Sequence, residues 1–155
     1  FVSRYAELNK ELKIQPQRLY VKELFARLQL LFQQAQLTAT GLEQQFLADS
    51  MLLQQVLINL IKNACEAQSA VGTVSLSFRT LERQFEICVL DQGHGIQNPQ
   101  NLFVPFYSTK PQGQGIGLAL CRQIIEQMGG DLQLHNRTDG STGACARILL
   151  PQQAV

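Results

Sequence analysis

The sequence contains no tryptophan, and its four cysteines, Cys65, Cys88, Cys121 and Cys145, stand far apart with no CxxC pair among them. That spacing excludes zinc-ribbon and thioredoxin-type motifs. Each cysteine lies among apolar neighbours, so buried free thiols in a reducing compartment are expected. Charge is scarce too, since 16% of residues are charged, 13 basic against 12 acidic. Without a basic run or patch nothing stands out to neutralise a polyanion, which speaks against nucleic acid as a partner. No apolar stretch approaches the ~20 residues that span a bilayer, and no signal-peptide pattern opens the chain. Because the first residue is Phe1 and not methionine, a cytoplasmic fragment of something longer is expected. Histidine is nearly absent as well: His94 and His135 are the two present, and neither sits in a helical His-Glu or His-Asp context.

What is present suffices for one core. A hydrophobic content of 45% in 155 residues suits a single domain with an appendage. Glycine is distributed unevenly. Gly93 and Gly95 follow Asp91, and Gly113, Gly115 and Gly117 alternate just before the apolar-periodic stretch LALCRQIIEQM. Glycine serves where a backbone must take positive φ or come close to a ligand, so two clusters bracketing an irregular segment suggest a loop wrapped around something. The second cluster runs straight into a helix, whose first N–H groups would point at an incoming anion. A phosphate is the natural candidate. The segment between, Gln92 to Gln114, is longer than most loops in compact domains, and such loops are usually functional or disordered.

Hydrophobic periodicity places the elements. Phe1, Tyr5, Leu8 and Leu12 have heptad spacing, as at the end of a coiled-coil helix. Pro16 breaks that pattern, and a second helix is expected over about Val21 to Gln34, with Leu24, Phe25, Leu28, Leu31 and Phe32 on one face. Leu37 to Leu47, with Thr and Gly41, reads as two brief extended pieces and a turn. Asp49 or Ser50 can cap a helix over Met51 to Gln68. Its apolar face is Leu53, Val56, Leu57, Leu60, Ile61, Ala64 and Ala67, bordered by a narrow polar stripe of Asn59, Asn63 and Glu66. Alternation over Thr73–Arg79 and Phe85–Leu90 predicts a hairpin whose second strand delivers Asp91 at its end. A helix from about Gly115 stops at Gly129-Gly130, and Asp131–Arg137 with Ala144–Leu150 reads as a closing hairpin.

Each motif alone is weak, but their order is specific. LINLIKNACEA, DQGHGI, LFVPFYSTK and GQGIGLAL follow one another as do the N, G1, F and G2 boxes of the catalytic, ATP-binding domain of bacterial sensor histidine kinases, which this sequence resembles over about Leu47 to Pro151. The wider superfamily includes gyrase, Hsp90 and MutL ATPase domains. The resemblance implies a two-layer α/β sandwich, a mixed β-sheet covered on one face by three helices, known as the Bergerat ATP-binding fold, with a long ATP lid. It implies ATP and Mg²⁺ as cofactors. The ATP-binding set would be Asn59, Asn63, Glu66, Asp91, Gly93, Gly95, Ile96, Phe103, Thr109, Lys110, Gly113, Gln114, Gly115, Ile116, Gly117 and Leu118. Within it Asn59, Asn63 and Lys110 form the catalytic group, and Asn63 is the metal ligand. Asp91 would accept from the adenine amino group, while Phe103 and Phe106 anchor the lid. Domain limits follow: residues 1–15 as the end of a dimerisation helix with its linker, 16–151 as the catalytic domain and 152–155 as a tail.

The expected function is to donate the ATP γ-phosphate to a histidine on the protein's own dimerisation domain, for relay to an aspartate of a response-regulator receiver domain. The acceptor histidine would lie upstream. The full-length protein would be a homodimer, with the possibility of an inner-membrane anchor, and the fragment alone is compatible with a monomer. The sequence departs from the family pattern at Glu66 and Ala67, where many members carry a basic residue and an aromatic, and at Ala144, Cys145 and Ala146, where an aromatic is frequent. Three other readings compete. An ATP-driven clamp would need a general base where Asn59 stands, and an amide cannot serve as one. A serine kinase of the anti-sigma-factor type generally lacks the aromatic lid text Leu102 to Lys110. A non-catalytic contact module sits poorly with an intact Asn63, Asp91 and all five glycines.

Overall fold

The computed structural model describes residues 13–66, 73–93, 116–140 and 142–152. The heptad-spaced segment Phe1–Leu12 and the tail from Gln153 lie outside them, as do Ala67 and residues 94–115. The chain order is β1 (Gln17–Tyr20), α1 (Val21–Leu31), β2 (Gln36–Thr40), β3 (Gln45–Ala48), α2 (Ser50–Glu66), β4 (Thr73–Thr80), β5 (Gln84–Leu90), α3 (Ile116–Gln127), β6 (Asp131–Asn136) and β7 (Ala144–Pro151). Five strands form one mixed sheet in the order β2-β4-β5-β7-β6. The β2–β4 pair is parallel and the others are antiparallel. A separate two-stranded sheet pairs β1 with β3.

Alternation along the strands decides which face is covered. Val74, Leu76 and Phe78 of β4, Phe85, Ile87 and Val89 of β5, and Ala146, Ile148 and Leu150 of β7 are all buried in one core cluster. Side chains two apart share a sheet face, so these residues present a continuous apolar surface to the helices. Against it lie Leu53, Val56, Leu57, Leu60, Ile61 and Ala64 of α2, Leu24, Phe25 and Leu28 of α1, and Cys121, Ile124 and Ile125 of α3. Each fully buried aliphatic side chain here contributes about 1.5–3 kcal/mol. The opposite face is polar at its centre. Glu86, 5% exposed, holds Arg79 at 2.9 Å and Arg147 at 2.6 Å, so a nearly buried carboxylate keeps two cationic partners.

Two expectations needed correction. The helix expected over Val21 to Gln34 ends at Leu31, three residues before Gln34, because Phe32 leaves helical geometry at φ −123° and ψ 52° while its N–H still donates to the Leu28 carbonyl. Leu31 is consequently 55% exposed, and Val21 takes its place on the buried face. The strand β1 was not expected, since Pro16 reads as a simple break. The two extended pieces around Gly41 are present but belong to different sheets. Other signals hold. After α3, Gly129 at φ 83° donates to the Glu126 carbonyl and Gly130 to that of Ile125, the two bonds of a Schellman stop.

Two contacts lash the small sheet to the large one. Phe46 of β3 stacks on Phe85 of β5 with ring centroids 4.1 Å apart and planes 6° from parallel. The Gln152 carboxamide accepts from the Leu47 N–H at 2.8 Å and donates to the Leu47 carbonyl at 3.0 Å, so one side chain imitates a strand neighbour. Among the described residues no helix is long and apolar enough to cross a membrane.

Candidate nucleotide site

The polar stripe of α2 depends on how that helix is anchored. Asp49, 8% exposed, accepts the Leu52 N–H through Oδ1 at 3.1 Å and the Gln15 N–H through Oδ2 at 2.8 Å. It is therefore both the helix cap and a tie to the incoming chain. Further along α2, Asn59 and Asn63 are half-buried and Glu66 is exposed, as expected for residues bordering an apolar face. Cys121 of α3 is fully buried within hydrogen-bonding reach of the Asn59 side chain. Burial pushes this thiol up to about 11, against a smaller downward pull from Asn59. The thiol stays protonated at neutral pH. Nothing in the sequence pattern pointed to this pair.

Asp91 stands where β5 ends, 6% exposed and almost wholly committed to the backbone around it. Its N–H donates to the Ala144 carbonyl at 3.1 Å. Its Oδ1 accepts two N–H groups, from Gly93 and from Ala144, each at 2.9 Å. Its carbonyl oxygen accepts from Arg137 Nη1 at 3.0 Å. Oδ2 takes no bond from the described residues, among which no buried side-chain oxygen lacks a partner. The result is a carboxylate held rigidly through one oxygen and offering the other at the end of a strand.

The turn that follows β6 closes against this aspartate at Gly143. Its φ is 128°, and a Cβ there would stand 2.9 Å from the Asp91 carbonyl carbon, 3.0 Å from Oδ1, and overlap the carbonyl oxygen outright. Only glycine permits so close an approach. The case of Gly117, in the first turn of α3, is opposite: a Cβ would meet none of the described residues within 4 Å. Leu118 is half-buried behind it against the core. Of the other residues expected in the site, Gly93 lies directly on the Asp91 carboxylate, and Ile116 is described only as the first residue of α3. Gly95, Ile96, Phe103, Thr109, Lys110, Gly113, Gln114 and Gly115 lie outside the described residues, with the whole lid. His135 bonds the Asn136 carbonyl through Nδ1 at 2.9 Å on an exposed strand, a local role.

Comparison with known proteins agrees with this architecture. A family model described as histidine kinase-, DNA gyrase B-, and HSP90-like ATPase matches residues 48–154. The chain is 38% identical over 107 residues to the sensor protein TdiS of Thauera aromatica, covering 64% of this chain and 19% of that protein. It is 34% identical over 105 residues to sporulation kinase C of Bacillus subtilis, covering 66% and 24% respectively. The catalytic domain of histidine kinase ThkA superposes with a TM-score of 0.77 at 26% identity, over 91% of this chain and 97% of that one. The chain belongs to the histidine kinase, gyrase B and Hsp90-like ATPase family. Within that family it is an ATP-binding catalytic domain of the sensor histidine kinase type. It spans only about a fifth to a quarter of the length of these sensor relatives, at 19% and 24%.

Proposed function

We propose that this domain presents the γ-phosphate of ATP to a histidine on the dimerisation domain of its own parent protein, for relay to an aspartate of a response-regulator receiver domain. The observation that carries the reading is Asp91, held through Oδ1, whose second carboxylate oxygen takes no bond from the described residues and suits the amino group of adenine. The ring would lie along the Gly93 backbone, and the phosphates would run toward the first turn of α3, where Gly117 leaves room and the N–H groups face outward. Asn63 would supply one hard oxygen to Mg²⁺. The rest of the ion's shell would come from nucleotide phosphates and water. Bound there, Mg²⁺ would neutralise charge on the transferring phosphoryl group.

Phosphoryl transfer asks the protein for positioning and charge neutralisation more than covalent help. Asn59, seated on Cys121, has no basicity with which to activate water, so slow hydrolysis and transfer to an incoming imidazole are favoured over rapid turnover. Lys110 would approach the phosphates from the lid. Residues 1–15 would belong to the dimerisation helix and its linker, 16–151 to this domain and 152–155 to a tail. The parent protein would be a homodimer whose kinase part is cytoplasmic.

Isothermal titration with a non-hydrolysable ATP analogue, with and without Mg²⁺, tests the site. One-site binding that Asp91→Asn weakens by about tenfold or more, the effect of losing a charged hydrogen bond, is expected. Unchanged affinity in Asp91→Asn would remove that residue from the site. Transfer of label from ATP to an added dimerisation domain tests the reaction, and ATP turnover without such transfer would favour the clamp.

A further inference from the structure

We infer that Arg137, which no motif assigns, is a positioning residue for base recognition, bracing Asp91 from behind. The inference rests on the nucleotide reading and extends it to specificity. Arg137 follows β6 and turns its guanidinium inward, leaving the side chain 14% exposed. Nε donates to Asp139 Oδ1 at 3.2 Å and Nη2 to Asp139 Oδ2 at 2.6 Å, a two-pronged seat that fixes the plane of the group. With that plane fixed, Nη1 is aimed at the Asp91 carbonyl oxygen, 3.0 Å away. The Arg137 N–H meanwhile donates to the Gly143 carbonyl at 3.0 Å, holding the turn shut on the same aspartate. Asp139 raises the guanidinium pKa further, so the brace is charged at every working pH.

The consequence is geometric. Asp91 Oδ1 is tied to the Gly93 and Ala144 N–H groups, so the direction in which Oδ2 points depends on where the main chain of Asp91 sits. Arg137 holds that main chain by its carbonyl. Removing the brace lets the strand end shift by fractions of an ångström, which costs the hydrogen bond to an exocyclic amino group and leaves phosphate contacts near α3 untouched. Arg137 therefore governs the choice between a base that donates at its sixth position and one that does not.

The test is titration of the chain with ADP and with IDP, whose base carries a carbonyl in place of the amino group. Wild type is expected to prefer ADP. Arg137→Gln is expected to lose about tenfold in ADP affinity while IDP affinity stays within about twofold, and to add nothing in an Asp91→Asn background. Asp139→Asn, at a side chain 53% exposed and so safe for folding, should shift the preference in the same direction by less. Equal losses for ADP and IDP would mark Arg137 as merely structural and overturn the inference, as would a wild-type preference retained in both variants. Should Arg137→Gln fail to fold, the Asp139→Asn preference decides alone. A wild-type chain that binds neither nucleotide refutes the nucleotide reading and the brace together, whereas a preference lost in Asp91→Asn and kept in Arg137→Gln refutes the brace alone.

Discussion

Replacing Gly143 by alanine should be among the costliest single-methyl additions this chain can receive. Two penalties act at once. A residue with a Cβ at φ 128° occupies a sparsely populated conformation, a strain of about 1–3 kcal/mol. The methyl group would also overlap the Asp91 carbonyl oxygen and crowd its carbonyl carbon at 2.9 Å. Relieving that overlap by backbone movement costs roughly another 1–3 kcal/mol. The movement separates the Ala144 N–H from Asp91 Oδ1 and loosens the Asp91 N–H bond to the Ala144 carbonyl. The combined loss is about 4 kcal/mol, a large part of the ~5–15 kcal/mol that holds a domain together. Gly140 is the internal control: its φ is also positive, at 86°, but a Cβ there meets none of the described residues within 4 Å. Gly140→Ala should therefore cost only the strain, about 1 kcal/mol. Urea unfolding followed by circular dichroism reads both. If the two variants unfold within about 1 kcal/mol of each other, the close approach of the turn to Asp91 is wrong.

Two further outcomes follow from groups outside the nucleotide site. A hydrogen bond from the Cys145 thiol, diagonal to Cys88 across β5 and β7, lowers Cys88 to about 7 despite burial and Glu86, while Cys145 itself is raised. Alkylation by iodoacetamide read by mass spectrometry should thus label Cys88 first, with a pH midpoint below the ordinary thiol range, and Cys145→Ala should move that midpoint up toward it; an unmoved midpoint refutes the pairing. Asp49→Ala removes the cap of α2 and strands the Gln15 N–H, and should cost about 2 kcal/mol in the same urea assay, whereas a loss under about 0.5 kcal/mol would mean water replaces both bonds.

The legible parts of the fold were those written in local periodicity. Val74, Leu76 and Phe78 alternate cleanly because one side of β4 faces helices and the other does not, and the same holds for Phe85, Ile87 and Val89. The α2 face was readable for the corresponding reason at helical spacing. What stayed hidden depends on partners distant in sequence. β1 has four residues, Gln17 to Tyr20, of which only Leu19 is buried, too few to show a period. The parallel pairing of β2 with β4 joins residues separated by all of α2, and no local signal encodes it. In the candidate site, Asp91 drew attention through the glycines beside it. Arg137 and Cys121 did not, nor did Gln152 outside the site, because each acts through a partner distant in sequence, and one residue makes no pattern.

The double role of Asp49 has a mechanical side. Helix α2 runs from Ser50 to Glu66 as an uninterrupted rod, clamped at its first turn by the carboxylate that also grips the backbone of Gln15. Asn63 lies about 20 Å from that clamp at 1.5 Å per residue. A tilt of about 3° at the clamp carries Asn63 sideways by about 1 Å, a displacement able to change a positioned reaction a hundredfold. Asp49 would in this sense be a fulcrum, through which traction on the chain at Gln15 would be geared up along the helix before it reached the amide.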